Sequence, residues 1–267
     1  MINFDNNDIK EMHYSGYTIV RAYGCNGELV YGEEPPAPTI KFYATFDDGG
    51  SNAVYNCNGN NLLTNDEVLT ACINAGRSNE NHMLTAEIGS CVTEIENNLL
   101  AWTAATQAVD TLTSVTIANT VTTIGFAMCQ GRTALVNIDF PSGVTVIPSS
   151  CFEGCTSLPA FNIKDGVTEI RTEAFDNCTS FMNIVIPSTV TSIGQSAFHI
   201  YNGTDYINNH RTVTCLATTP PTLGSIAFSY GSGVATYPIY VPAQSVEAYK
   251  SAWSNVINTD RIQAIPN

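Results

Sequence analysis

Four histidines are the side chains in this sequence best suited to bind a metal or to move a proton. They are His13, His82, His199 and His210, and no two of them have the H-x₃-H or H-E-x-x-H spacing that brings two imidazoles to one metal. His199 and His210 flank a short segment that also holds Asp205, so a site there is conceivable. We expect that segment to be a solvated loop instead.

Nine cysteines could bind zinc or form disulfides. Cys151 and Cys155 form the one close pair, a C-x₃-C, and no second pair lies at the distance that a zinc site needs. Most of the others stand singly among apolar residues, where small buried thiols are common. We therefore expect reduced structural thiols.

The carboxylates show no catalytic or metal-binding pattern. The stretch DDGG at 47–50 suggests calcium, but no Asp-x-Asp-x-Asp loop with a distal Glu follows, and a hairpin turn explains it better. Glu94, Glu169 and Glu173 recur at outward positions and indicate a solvated face. No G-x-S-x-G or phosphate-binding glycine loop is present. We predict no catalytic residue, cofactor or metal, with an enzyme whose site is unrecognised as the remaining alternative.

Charge and hydropathy exclude two classes of partner. The chain has 10 Lys and Arg against 24 Asp and Glu, a net charge of −14, which argues against nucleic acid and anionic membranes. No run is long and apolar enough to insert into a membrane. The first residues lack the basic and apolar regions of a secretory signal, so we expect either no export by that route or a trimmed start.

The elements that must position these side chains follow a repeat. Val-Thr-x-Ile begins at Val121, Val144, Val167 and Val190, at a constant interval of 23 residues. It continues as G-x-x-A-F-x-x-C, and we number this twelve-residue motif from its Val as positions 1 to 12. Such a period predicts a mainly β solenoid whose parallel strands form one continuous ladder, with Phe at position 9 in the core and Thr and Ser in exposed hydroxyl rows.

Two further copies are irregular. An earlier copy begins at Val92 and carries six surplus residues, which we place in a loop or short helix within 97–109. A later copy ends in Ala227-Phe228 and follows an inserted loop at 199–211. Insertions in repeat proteins tend to line the binding face. The predicted recognition residues are in these loops: Trp102, Tyr201, Asp205 and Tyr206.

Both ends of the predicted solenoid, residues 84–215, need caps. Residues 39–83 read as an N-terminal cap of a hairpin and a short helix, which starts with a capping box from Thr64 to Glu67. Residues 216–267 read as a C-terminal cap, with a strand at 239–241 and a helix whose N-cap is Ser245.

Residues 1–34 form a separate predicted module, followed by a proline linker at 35–38. Asn26-Gly27 between two β-prone runs predicts a hairpin turn. So short a module cannot hold a core alone, and we expect it to anchor the chain to a partner. The predicted anchoring residues are Tyr14, Ile19, Tyr23, Asn26, Gly27 and Val30.

Residues 84–267 resemble the BspA-like leucine-rich repeat family, most closely in LPAFNIKDGVTEIRTEAFDNC (158–178) and FMNIVIPSTVTSIGQSAF (181–198). Cys129, Pro148 and Arg132 depart from the family pattern at packing positions. The resemblance implies a non-enzymatic surface adhesin of anaerobic bacteria, or a relative encoded by their phages.

The N-terminal module is similar to short β modules of phage tail and fibre proteins. Together with the missing signal, this favours a virion accessory component on the virion surface. It would bind other virion proteins through residues 1–34 and a host surface protein or glycan through the solenoid, as a possible homo-oligomer. The alternative is a secreted adhesin on the bacterial surface.

Overall fold

The structure is a computed structural model that describes residues 9–14, 17–22, 40–76, 82–101, 110–201, 211–229 and 237–266. The chain divides into two compact units, residues 1–38 and residues 39–267.

The strands and helices are short, as expected for a repeat of 23 residues. The strands are β1 (Ile9–Tyr14), β2 (Tyr17–Ala22), β3 (Ile40–Phe46), β4 (Ala53–Asn56), β5 (Leu62–Leu63), β6 (Met83–Ile88), β7 (Glu94–Ile95), β8 (Ser114–Ile117), β9 (Thr123–Ile124), β10 (Asn137–Asp139), β11 (Val146–Ile147), β12 (Glu169–Ile170), β13 (Asn183–Ile186), β14 (Ser192–Ile193), β15 (Thr212–Cys215), β16 (Thr222–Leu223), β17 (Ile239–Val241) and β18 (Ile262–Ala264). The helices are α1 (Asn65–Asn74) and α2 (Val246–Trp253), with 3₁₀ turns at Ala243–Ser245 and Thr259–Arg261.

In the first unit, β1 and β2 form an antiparallel pair in which Tyr14 lies opposite Tyr17. This pair lies earlier in the chain than the hairpin expected around Asn26-Gly27. That turn, the linker at 35–38, Tyr23 and Val30 lie outside the described residues.

The second unit begins with the predicted hairpin and helix. Strand β3 pairs antiparallel with β4 on one side and with β6 on the other, and β6 then starts a parallel series with β8 and β10. The capping box is confirmed, since Thr64 Oγ1 accepts from the Glu67 N–H and Glu67 caps the Thr64 N–H. Glu67 also receives a 2.7 Å bond from the buried Lys41 ammonium. Burial raises the pKa of Glu67, but bonds from Lys41, Thr64 and Asn58 outweigh it and lower the pKa overall.

The expectation that all thiols are reduced is wrong for one pair. Cys57 and Cys91 form a disulfide that links the loop after β4 to the turn just before the first repeat. The two cysteines are 34 residues apart in the sequence, so no short spacing motif predicted that they pair. Six other cysteines are fully buried thiols outside this disulfide, as expected: Cys72, Cys129, Cys151, Cys155, Cys178 and Cys215. Cys25 lies outside the described residues.

Equivalent positions of successive repeats pair in parallel. Ile147 lies beside Ile170, Ile170 beside Ile193, and Ile193 beside Leu223. These position 4 residues are buried or nearly so, because side chains alternate along each short strand. In β11, β12 and β14, residues that are 23 positions apart in the sequence are therefore paired across neighbouring strands.

The predicted continuous ladder is wrong. The strands form separate sheets, β5-β7-β9 and β11-β12-β14-β16 on one side, and β10-β8-β6-β3-β4 and β13-β15-β17-β18 on the other. The breaks coincide with two prolines, which have no N–H to donate. Pro148 is at position 5. In other repeats the N–H of the position 5 residue donates to the preceding repeat, as Arg171 N–H does to Ile147 C=O at 3.0 Å. Pro159 replaces the equivalent of Val136, whose N–H bonds Thr113 at 3.0 Å.

A third ladder, in the turn at positions 6 to 11, runs across these breaks. Cys129 N–H donates to Cys151 C=O across the break at Pro148, and Phe152 N–H donates to Ala174 C=O across the break at Pro159, both at 2.8 Å. Position 7 of every repeat has a positive φ, although none of the six residues is glycine. They are Asn98, Ala127, Ser150, Glu173, Ser196 and Ile226. The turn is thus a regular, hydrogen-bonded part of the stack.

Position 9 forms the core, as predicted. Phe175 stacks on Phe152 at 5.3 Å and on Phe198 at 5.2 Å, and Phe228 continues the column at 5.5 Å from Phe198. Trp253 of α2 meets Phe228 at 6.0 Å. The C-terminal cap therefore covers the last apolar repeat.

Ser245 is the N-cap residue of α2, as predicted, but its side chain does not cap the helix. Its hydroxyl donates to Thr218 C=O at 2.8 Å and makes no bond to the helix N-terminus. Residues 97–101 continue the turn of the first repeat, with Leu99 and Leu100 buried, rather than opening a loop. Residues 102–109, where the remaining surplus falls, lie outside the described residues.

Candidate recognition surface

Repeated hydroxyls that the sequence placed in exposed rows are engaged in holding repeats together. Thr168 donates through Oγ1 to Thr145 C=O, and Thr191 to Thr168 C=O, both at 3.2 Å. Thr222 does the same to Thr191 C=O at 3.3 Å. These residues lie at the surface, but a bound hydroxyl has less capacity left for a ligand.

Position 12 residues share a structural task in spite of their different chemistry. Cys155 donates its thiol to Cys129 C=O, Cys178 donates to Phe152 C=O, and Arg132 donates Nε to Leu100 C=O. In each case the acceptor is position 9 of the preceding repeat. Burial raises the pKa of Cys178 to about 12 and that of Cys155 well above its usual value. These thiols are hydrogen-bond donors and poor nucleophiles.

Position 10 forms a short polar column. Gln130 donates to Glu153 at 2.8 Å, and His199 Nδ1 lies 3.0 Å from Asp176 Oδ1. Burial, and then the charges of Glu153 and Glu173, raise the pKa of Asp176 against the opposing effect of His199. His199 is buried at 8% exposure, so its expected place in a solvated loop is wrong. The regular repeat simply extends to residue 199 and includes it.

Apolar residues reach solvent on the sheet β13-β15-β17-β18. Val185 is 49% exposed and lies opposite Thr214, which lies opposite Tyr240. Leu216, 43% exposed, follows β15 and bonds Ile186 C=O through its N–H. We call these four residues, Val185, Thr214, Leu216 and Tyr240, the outer face. An aliphatic and aromatic surface with two hydroxyls is typical of contact sites in proteins.

The outer face is not among the residues that the sequence predicted for recognition, which lie in loops. A signal was present in the sequence, since the positions 23, 46 and 69 residues before Val185 are Asn162, Asp139 and Thr116, all polar. An apolar side chain in an otherwise polar, exposed column marks the point where the repeat departs from scaffold needs.

Of the predicted recognition residues, the structure describes Tyr201. Tyr201 is 69% exposed, and the centre of its ring lies 6.3 Å from the centre of the His199 ring. Trp102, Asp205 and Tyr206 lie outside the described residues, as does His210. Tyr14 and Ile19 are in β1 and β2, while Asn26 and Gly27 are outside the description. The recognition role of these loop residues therefore stays a prediction.

Within the described ranges, no group of three or more His, Cys, Asp or Glu side chains could hold a metal ion. No helix in those ranges is long and apolar enough to cross a membrane.

The family comparison agrees with the repeat. Residues 103–233 match the model of the "BspA type Leucine rich repeat region" in six copies. The matched range includes the four regular repeats that begin at Val121, Val144, Val167 and Val190. No curated protein matches the chain.

Three solved leucine-rich repeat structures are similar to it. A protein of T. pallidum (TpLRR) has a TM-score of 0.44 and 17% identity, over 74% of this chain and 86% of that one. A leucine rich cell surface protein of Faecalibacterium prausnitzii has a TM-score of 0.40 and 22% identity, over 77% and 55%. A protein of Bacteroides ovatus has a TM-score of 0.38 and 15% identity, over 80% and 66%. The chain spans less than two thirds of the last two.

Proposed function

We propose that this chain is a non-enzymatic recognition protein, a leucine-rich-repeat solenoid that presents the outer face to a protein or glycan at a cell surface. The observation that carries the proposal is the exposed apolar pair Val185 and Leu216, because the residues equivalent to Val185 in three earlier repeats are all polar. The residues that recur with the repeat are occupied in packing and inter-repeat bonds, so recognition falls to residues that break the repeat.

The working location that we propose is extracellular. The disulfide between Cys57 and Cys91 supports an oxidising environment, because such bonds rarely persist in a reducing cytosol. The BspA type repeat match supports a bacterial surface adhesin. A phage virion component anchored through residues 1–34 is the second form of the proposal, and the β1–β2 pair in that segment is consistent with it.

Fractionation separates the two forms. Mass spectrometry of washed cell-surface fractions and of purified virions from the same culture should find the chain in one of them. Presence on the cell surface and absence from virions favours the adhesin, and the reverse favours the virion component. Recovery from the cytosol alone contradicts both.

Recognition itself is tested by binding of the labelled full chain to intact bacterial and epithelial cells and to a glycan array. The proposal predicts saturable binding to at least one of these probes. Failure to bind any of them, with the chain folded, contradicts it.

A further inference from the structure

Two buried guanidinium groups contact one aromatic ring at the C-terminal end of the repeats. Arg211 is 0% exposed with its Cζ 5.6 Å from the centre of the Tyr237 ring, and Arg261 is 7% exposed with its Cζ 4.3 Å away. Tyr237 is itself buried and donates its hydroxyl to Phe228 C=O at 2.7 Å.

Each arginine donates a hydrogen bond to the backbone carbonyl of a position 9 residue. Arg211 Nη1 donates to Phe198 C=O at 2.8 Å, and Arg261 Nη1 donates to Phe228 C=O at 3.5 Å. Arg261 Nε donates to Tyr237 C=O at 2.9 Å. Among the described residues, three buried nitrogen atoms of these arginines have no hydrogen-bond partner: Nε and Nη2 of Arg211, and Nη2 of Arg261. A guanidinium offers these groups as a planar fork suited to an oxyanion.

The charges are uncompensated as well. Neither arginine forms an ion pair with a described carboxylate, whereas the buried Arg132 pairs with Asp110 at 3.2 Å. Burial lowers the pKa of both Arg211 and Arg261, and the positive charge of Arg211 lowers that of Arg261 further. Two buried like charges without a counter-ion are unfavourable, so an anion beside them would be stabilising.

We propose that Arg211 and Arg261 form a binding site for a small oxyanion, such as a carboxylate or a phosphate group. The ligand would accept from the three unpartnered N–H positions and neutralise both guanidinium groups. This site is separate from the outer face and does not depend on the recognition role proposed above.

Thermal unfolding of the full chain in inorganic phosphate tests the site, with chloride used to keep the ionic strength constant. We expect a saturable rise in Tm of about 5 °C at a hundredfold excess over Kd. General stabilisation by phosphate instead grows without saturation. Calorimetric titration of the wild-type chain should give one phosphate per chain, a readout that needs no variant.

Arg211→Met and Arg261→Met should each abolish the saturable rise. Arg171→Met is the matched control, because Arg171 is exposed and bonds Glu169, and it should keep the full response. A response that survives in both buried-site variants, or no binding to the wild-type chain, overturns the proposal.

The same carboxylate chemistry could come from the chain itself, and Asp205 is the acidic residue of the segment just before Arg211. Asp205→Asn separates the sources. Equal phosphate affinity in this variant and in the wild type supports an external anion. A response that appears only in Asp205→Asn overturns the proposal in favour of an internal counter-ion.

Discussion

At the residue scale, position 7 shows how a regular backbone can be invisible in a sequence. All six residues there adopt a positive φ, between 51° and 59°, yet their types are Asn, Ala, Ser, Glu, Ser and Ile. A left-handed residue is read from sequence through Gly or Asn. Because neighbouring repeats hold this turn by backbone bonds, tertiary structure imposes the conformation on residues that do not prefer it. The Phe at position 9 was predictable because burial selects its type directly.

Ile226 should be the least favourable of these residues, since its side chain is β-branched and its φ is 51°. It is 44% exposed, so its removal costs little packing. Ile226→Asn should therefore raise the free energy of unfolding by about 1 kcal/mol, measured by urea denaturation. Leu216→Asn is the control, as Leu216 has similar exposure, 43%, and is not among the positive-φ residues. Equal effects of the two changes would contradict the strain argument.

The ion pair of Lys41 and Glu67 makes the stability of the fold depend on pH, with a sign that follows from the pKa of Glu67. The pKa of Glu67 is lowered in the folded state, so its stabilising contribution is present above the unfolded value of 4.5 and is lost as pH falls through the folded pKa. Glu67→Gln should lower stability at pH 7 by about 3 kcal/mol, because it leaves the Lys41 charge buried without its partner.

The difference in Tm between wild type and Glu67→Gln should shrink as the pH falls from 7 to 3. Lys41→Met combined with Glu67→Gln should recover much of the loss, since no unpaired charge then stays buried. A difference that is constant across this range would rule out the ion pair as its cause.

At the element scale, the sequence predicted which segments become strands and missed where their pairing stops. The period placed the Val-Thr-x-Ile segments correctly in β12 and β14. The pairing stops at Pro148 and Pro159 because each removes an N–H donor that a ladder needs. The turn ladder spans both gaps, which explains how the stack tolerates them.

The disulfide between Cys57 and Cys91 fastens the N-terminal cap to the first repeat and should contribute about 3 to 4 kcal/mol by restricting the unfolded chain. Reducing agent should lower the Tm of the wild type and leave that of Cys57→Ala/Cys91→Ala unchanged. The six buried thiols should resist alkylation in the native state with or without reductant. An equal fall in Tm for both proteins on reduction would show that the bond makes no contribution.

At the scale of the whole molecule, the repeat explains the fold of the second unit better than it explains recognition. Regular positions were predictable because each repeat solves the same packing problem. Val185 and Leu216 are not explained by packing, because their apolar side chains are exposed, although the polar residues at the equivalent positions of earlier repeats single out Val185. Loop residues such as Trp102 and Tyr206 stay predictions, since they lie outside the described residues.

The most direct test of recognition by the outer face compares two valines that are both 49% exposed, Val185 and Val136. Val136 lies beside a different sheet, next to β10, so Val136→Arg is a matched control for Val185→Arg. Binding of each labelled full-length variant to the cells or glycan that bind the wild type is measured at equal Tm. We predict that Val185→Arg weakens binding at least tenfold and that Val136→Arg leaves it within twofold, as expected for loss of about 1.4 kcal/mol or more at one contact. Unchanged binding by Val185→Arg, or equal loss in both variants, would contradict the account.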